Sequence, residues 1–472
     1  MCGIAGCYNT RHAPNITQLG LHQLQHRGQE WVGMISSDGN HFFPERAPLR
    51  REGLVMHVLT PEVMRTMTGH MAIGHLRYST QGASELNNAQ PHEAQTDAGP
   101  VFFCSNGDIV NCGELRSLLR ADGFTFYSDN DGEVIVKLIA YCYQHGERSW
   151  IAAIRRAKVM LNGSYSGVLM IRDRMFLIRD HLENRPFSYT VAKDGAVFFA
   201  SETSALDIMT ADYEGFNGHE YEPREVPGNV IIELAEGKVL EHPTIQGSPR
   251  RAHCVFEPIY FSRPDSTVFG IQAKLFRRKL GEALVREAHP EGDIVSPVPD
   301  SSVEASLAVS RVTGIPLEHI LYRHHYTGRT FIAPSQKLRD YGVKLKFNPD
   351  RRAIPGKRIV LVDDSIVRGT TMRKLIGMLK RYRPAQITLL ITCPLIMHAC
   401  YYGIDMKGGL IAAALQGDVE AIKTKIGLDP HDRLYFLSLD GLKSCLDNPS
   451  DWCMACLDGL YPTDVSGFQA HA

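Results

Sequence analysis

Short apolar runs and longer stretches of helical spacing divide this chain into two parts with different rhythms. In the first, runs at 101–104, 166–171, 175–178, 196–200 and 228–234 read as β-strands, and the spacing near 16–25 and 132–145 predicts helices. Sheets packed between helices fit that layout. A polar passage carrying Pro and Arg, 242–251, interrupts it, so we place a boundary there and expect domains at 1–250 and 251–472. Beyond it a long helical pattern covers 268–286, after which strand and helix alternate at 293–298, 303–313, 359–362, 372–382 and 386–392. This βαβ order predicts an α/β domain on a parallel sheet. No internal repeat or low-complexity segment is present.

At 472 residues the chain has room for two or three domains, and 44% hydrophobic residues supply a core for each. A formal charge of -1 argues against nucleic acid or an anionic membrane as a constitutive partner. No charged-then-apolar signal segment precedes Cys2, and no apolar run reaches the ~18 residues of a membrane span. We therefore expect a cytoplasmic protein.

Residues 358–371, RIVLVDDSIVRGTT, carry the densest chemistry. The β-branched and leucine run 359–362 suits a parallel strand buried on both faces, and it stops at Asp363 and Asp364. Ser365 to Thr371 then form a polar, Gly-containing loop ahead of a helix. Backbone N–H groups and hydroxyls converging at a helix N-terminus make an anion pocket, whereas adjacent carboxylates suit hydroxyl groups or a divalent cation. Together they describe a ribose 5-phosphate site. The segment resembles the phosphoribosylpyrophosphate motif of type I phosphoribosyltransferases. That resemblance implies that Asp363 and Asp364 hold the ribose hydroxyls, while Ser365, Arg368, Gly369, Thr370 and Thr371 cradle the 5-phosphate.

The N-terminus, Met1-Cys2-Gly3-Ile4, is the second informative feature. Methionine before a small residue is usually removed, leaving Cys2 with a free α-amine of pKa about 7.7–8.0 beside its own thiol. One residue then supplies both nucleophile and base. The motifs LQHRGQ (24–29), GHLRYST (74–80), NGD (106–108) and DGE (131–133) follow in the order seen in class II glutamine amidotransferases, which are N-terminal-nucleophile hydrolases. The resemblance implies an α+β αββα sandwich in which Cys2 attacks the glutamine amide, and Asn106 and Gly107 form the oxyanion hole. Arg77 would bind the α-carboxylate in a fork geometry, Asp131 would pair with the α-ammonium, and Arg27 would support the site.

With an amidotransferase in front and a phosphoribosyltransferase behind, the chain resembles the glutamine phosphoribosylpyrophosphate amidotransferase family from Cys2 to about Thr463. The implied reaction releases ammonia at Cys2 and channels it to phosphoribosylpyrophosphate, giving 5-phosphoribosylamine, glutamate and pyrophosphate, the first step of de novo purine synthesis. The resemblance also implies Mg2+ held by Ser301, Asp363 and Asp364, feedback inhibition by purine nucleotides, and a homotetramer or homodimer. The basic stretch 323–346 would close over the substrate, with Tyr326, Arg329 and Lys346 matching the family loop.

Eleven cysteines without a secretion signal argue against disulfides, yet Cys453 and Cys456 have ligand spacing. Zinc and iron-sulfur clusters both accept four thiolates, and spacing does not choose between them. Resemblance to cluster-bearing family members implies a structural [4Fe-4S] cluster on Cys254, Cys400, Cys453 and Cys456.

The chain departs from the family pattern at several places. His324 and His325 stand in the substrate loop where Asn and Arg are usual, so charge there depends on pH. Ser105 replaces the histidine before Asn106, Glu30, Trp31 and Val32 follow Gln29 in place of small residues, and 182–187 reads LENRPF. These differences leave room for a divergent paralogue with the same chemistry in a specialised nucleotide-like pathway. A non-catalytic regulatory homologue would be expected to lose Cys2, Arg77, Asn106, Asp131 or one of the Asp363 and Asp364 pair, and all are present.

Overall fold

A computed structural model describes residues 1–45, 47–79, 83–216, 221–244, 250–324 and 347–469. The N-terminal part folds as two antiparallel sheets face to face. One has the order Arg224–Glu225, Ser188–Val191, Val197–Ala200, Gly3–Tyr8, Met71–Arg77, Trp31–Ser37, Phe42–Phe43, with Leu49–Glu52 also on Trp31–Ser37. The other runs Lys238–Pro243, Val230–Ala235, Met175–Arg179, Gly163–Met170, Gly99–Ile109, His92–Thr96.

Strand alternation explains the layering, since successive side chains point to opposite faces. Ile4, Ile35 and Ile73 from the first sheet meet Phe102, Val168 and Leu177 from the second in the central core. Ala5, Val32 and Leu76 face outward, against helices Ala13–Gln23 and Thr203–Thr210. Phe103, Leu169 and Ile178 face the other way, against helices Asp131–Gln144 and Trp150–Met160. The result is the αββα sandwich.

The C-terminal part carries a four-stranded parallel sheet in the order Ile294–Pro297, Arg358–Asp363, Gln386–Ile391, Arg433–Phe436. Ile359 and Leu361 pack on the side of helix Thr370–Lys380, while Val360 and Val362 pack on the side of helices Ala273–Ala288 and Val303–Thr313. Both faces are covered, which accounts for the unbroken apolar run.

Two helix starts differ from expectation. The pattern expected from 268 begins at Ala273, because Thr267–Val268 and Ile271–Gln272 form a hairpin turned by Phe269 (φ 53°) and Gly270 (φ 75°). The helix expected from 372 begins at Thr370, where Gly369 at φ 72° forms the N-cap. No helix among the described residues is long and apolar enough to cross a membrane.

Candidate active sites

Cys2 precedes the central strand Gly3–Tyr8 and is 8% exposed. Its backbone N–H donates to Asn106 Oδ1 at 3.0 Å, and its Sγ lies 3.7 Å from Tyr78 O. Asn106 Nδ2 is buried with no hydrogen-bond partner among the described residues. A buried amide donor left unmade is costly unless a ligand completes it. The neighbouring Gly107 sits at φ 138°, and a Cβ there would meet Ser164 O at 2.1 Å, so glycine is required. Burial pushes the Cys2 thiol up from its ordinary value, while the amine of Met1 acts the other way.

Arg77 ends the strand Met71–Arg77, is 1% exposed, and donates from Nη2 to Ala83 O at 3.2 Å. Asp131 begins helix Asp131–Gln144 and accepts from Ile109 N at 3.0 Å. Burial, reinforced by the charge of Asp108, pushes its carboxyl up to about 7. The helix is capped by Asn130, whose Oδ1 accepts from Gly132 N at 2.9 Å and from Gln90 Nε2 at 3.2 Å. Gln90 Oε1 in turn accepts from Ser105 N at 2.6 Å, tying the cap to the strand that carries Asn106. Gln90 and Asn130 were not anticipated from sequence, and Asp108 entered only within the NGD motif without a role, since their roles depend on tertiary neighbours.

Arg27 is fully buried between two acids. Its Nη2 meets Glu257 Oε2 at 2.7 Å, and its Nε bonds Glu202. Glu257 also lies 3.5 Å from Arg185 Nη1, and Arg185 donates from Nε to Tyr402 O at 2.9 Å. Burial opposes the charge on Glu202, but Arg27 and His26 hold it far below the usual carboxylate range. This network links the sandwich to residues of the C-terminal part; neither Glu202 nor Glu257 was assigned a role from sequence.

At the end of the strand Arg358–Asp363, Ser301 Oγ donates to Asp364 Oδ1 at 2.5 Å, and Ser365 Oγ donates to Asp364 Oδ2. Asp364 N donates to Asp363 Oδ1 at 2.9 Å. Burial raises the Asp364 carboxyl, with the hydroxyls of Ser301 and Ser365 opposing. Arg368, Gly369, Thr370 and Thr371 run from this point into the helix N-terminus. The structure thus joins Ser301, Asp363, Asp364 and the loop. Tyr326, Arg329, Lys346 and His325 lie outside the described residues.

The four singled-out cysteines also converge. Strand His253–Cys254 pairs in parallel with Trp452–Cys453, placing Cys254 opposite Cys453. Cys456 O accepts from Met397 N and His398 N, both at 3.0 Å, and Cys400 belongs to the same apolar cluster. Burial pushes the Cys254 thiol up to about 11, with Arg185 lowering it and Cys400 raising it. Among the described residues, Asp429, His431 and Asp432 bring ligand atoms within 4.8 Å of one another.

The Glutamine amidotransferase domain family matches residues 75–208. Amidophosphoribosyltransferase from Methanothermobacter thermautotrophicus is 39% identical, covering 99% of this chain and 97% of its own. The chloroplastic amidophosphoribosyltransferase of Vigna aconitifolia is 41% identical over 98% of this chain and 91% of its own. Among solved structures, glutamine phosphoribosylpyrophosphate amidotransferase from B. subtilis, complexed with ADP and GMP, superimposes with a TM-score of 0.87 at 36% identity, covering 98% of each chain. Likeness of this degree over the full length, joined to an αββα sandwich and a parallel-sheet domain, leads to one conclusion: the chain belongs to the amidophosphoribosyltransferase family.

Proposed function

We propose that this protein makes 5-phosphoribosylamine from glutamine and phosphoribosylpyrophosphate. Once Met1 is removed, the Cys2 amine takes the thiol proton and Sγ adds to the glutamine side-chain carbonyl. The resulting oxyanion is stabilised by Asn106 Nδ2 and the Gly107 N–H; losing one such donor costs roughly 10²- to 10³-fold in rate. Collapse of the adduct breaks the C–N bond, and the amine returns its proton as ammonia leaves. Water then cleaves the thioester to glutamate. Arg77 and Asp131 orient the substrate's carboxylate and ammonium, and Arg27 holds the surrounding chain through Glu202 and Glu257.

In the second site Asp363 and Asp364 would hold the ribose hydroxyls, and Ser365, Arg368, Gly369, Thr370 and Thr371 the 5-phosphate. The ammonia lone pair forms the new bond at C1 as the C1–O bond breaks and pyrophosphate departs with its electron pair. Ser301, Asp363 and Asp364 fit a magnesium ion by their oxygen donors, and that ion would neutralise pyrophosphate charge. Tyr326, Arg329 and Lys346 would close over the substrate. Cys254, Cys400, Cys453 and Cys456 would hold a [4Fe-4S] cluster with a structural role, tying the C-terminal tail to the junction between the parts. Feedback inhibition by purine nucleotides, a homotetrameric or homodimeric assembly, a cytoplasmic location and a division at 250/251 complete the reading.

The observation that carries this reading is the Cys2–Asn106 bond, which orients a buried Nδ2 that has no other partner among the described residues. Complementation of a purine auxotroph tests it: growth without added purine is expected, and failure by a well-expressed protein counts against it.

A further inference from the structure

Residues 400–408 reach from the cysteine cluster to the glutaminase strand. Arg368 grips them on both sides of Lys407, with Nη2 at 3.2 Å from Asp405 Oδ1 and Nε donating to Gly408 O at 3.3 Å. Gly403, at φ 108°, lies so close that a Cβ would come within 3.1 Å of Gly107 Cα. From this seat Lys407 brings its ammonium 3.3 Å from Asp108 Oδ2, a carboxylate only 1% exposed.

Asp108 is an extra acid in a crowded place. Asp131 accepts from Ile109 N, the next residue along the same strand, so two buried carboxylates lie close enough to repel each other. A substrate with one α-ammonium balances only one of them. Among the described residues, Cys2, Cys112 and Arg185 lie beside Asp108, Cys112 also lies beside Asp131, and Arg77 and Arg116 lie beside Cys2 and Cys112 in turn. Arg77 is assigned to the substrate carboxylate, Arg185 is committed to Glu257 and Tyr402, and Arg116 donates to Ser128 O and Asn130 O at 2.8 and 2.9 Å. Among the described residues, Lys407 is the cation that reaches Asp108 from the C-terminal part.

We propose that Lys407 is a positioning residue for glutamine: its ammonium balances Asp108, so that Asp131 carries the single negative charge that the substrate's α-ammonium requires. This rests on the reading of Asp131 as the ammonium partner. It also means that the phosphoribosyltransferase part completes the glutaminase pocket electrostatically, through a segment anchored on the phosphate loop by Arg368.

The test is kcat/KM for glutamine hydrolysis between pH 6 and 9 in the full-length enzyme, with ammonia-dependent synthesis as a check on folding. An opposite charge within reach shifts a carboxylate by about one to three pH units. Lys407→Met should therefore move the rising limb to higher pH by about one unit or more. At pH 7 this raises KM for glutamine at least about fivefold, leaves kcat nearly unchanged, and spares ammonia-dependent synthesis. Lys407→Arg should restore the wild-type profile. Asp108→Asn should move the limb to lower pH, and the double variant Lys407→Met with Asp108→Asn should lie closer to wild type than Lys407→Met alone. Superimposed profiles for Lys407→Met and wild type overturn the inference. If Lys407→Met fails to fold, an unshifted limb in Asp108→Asn overturns it instead. A wild type that hydrolyses no glutamine overturns the underlying reading and this inference with it, whereas normal hydrolysis with unmoved profiles overturns the inference alone.

Discussion

Arg27 and Glu257 stand 230 residues apart in sequence and meet at 2.7 Å with both side chains fully buried. Glu257 also faces Arg185, and Arg27 also bonds Glu202, whose second oxygen accepts from Arg263 N at 2.9 Å and Ser266 Oγ at 2.6 Å. The acids and guanidiniums are balanced only as a set. Removing one member leaves a desolvated charge without compensation, and that cost exceeds any gain from having formed the pair.

Glu257→Ala should for this reason destabilise the protein by about 3–5 kcal/mol, the range for breaking a buried pair from one side. Thermal or urea unfolding measures it. A midpoint unchanged within a degree would show that the network is solvated or redundant.

Asp364→Asn separates the two chemistries from the second side. Because Asp364 is joined to Ser301 and Ser365 in the ribose site, the variant should lose synthesis from either nitrogen source by roughly a hundredfold or more, on the scale of other lost transition-state contacts. Glutamine hydrolysis at Cys2 should survive. Equal loss of hydrolysis in a folded variant would argue against separate sites.

The cysteines make a compositional prediction. Protein purified without oxygen should be brown and contain about four iron and four sulfide per chain, as a [4Fe-4S] cluster requires. Cys453→Ser should lose the colour and lower the melting temperature. Stoichiometric zinc without iron would refute the cluster assignment.

Much of this architecture was legible because its signals are local. The run 359–362 shows a strand buried on both faces, and the structure divides those residues between two helical layers. The motifs around Cys2, Asn106 and Asp131 follow one another in order, and the fold brings them together. What sequence reading missed depends on distant partners: Glu257 is an acid in an aromatic stretch until Arg27 lies beside it. Lys407 is one cation among many until residues 400–408 are folded onto Gly107. The hairpin at 267–272 was hidden because its turn needs positive φ at Phe269, a residue that gives no such signal.

The central claim is that Cys2 serves only to release ammonia for a separate phosphoribosyl site. Steady-state synthesis of 5-phosphoribosylamine by Cys2→Ala, measured once with glutamine and once with added ammonia, tests it most directly. The glutamine-dependent rate should fall by at least about 10³-fold, as for loss of a catalytic nucleophile. The ammonia-dependent rate should remain close to wild type. Loss of both rates in a folded variant, or retention of the glutamine-dependent rate, would contradict the account.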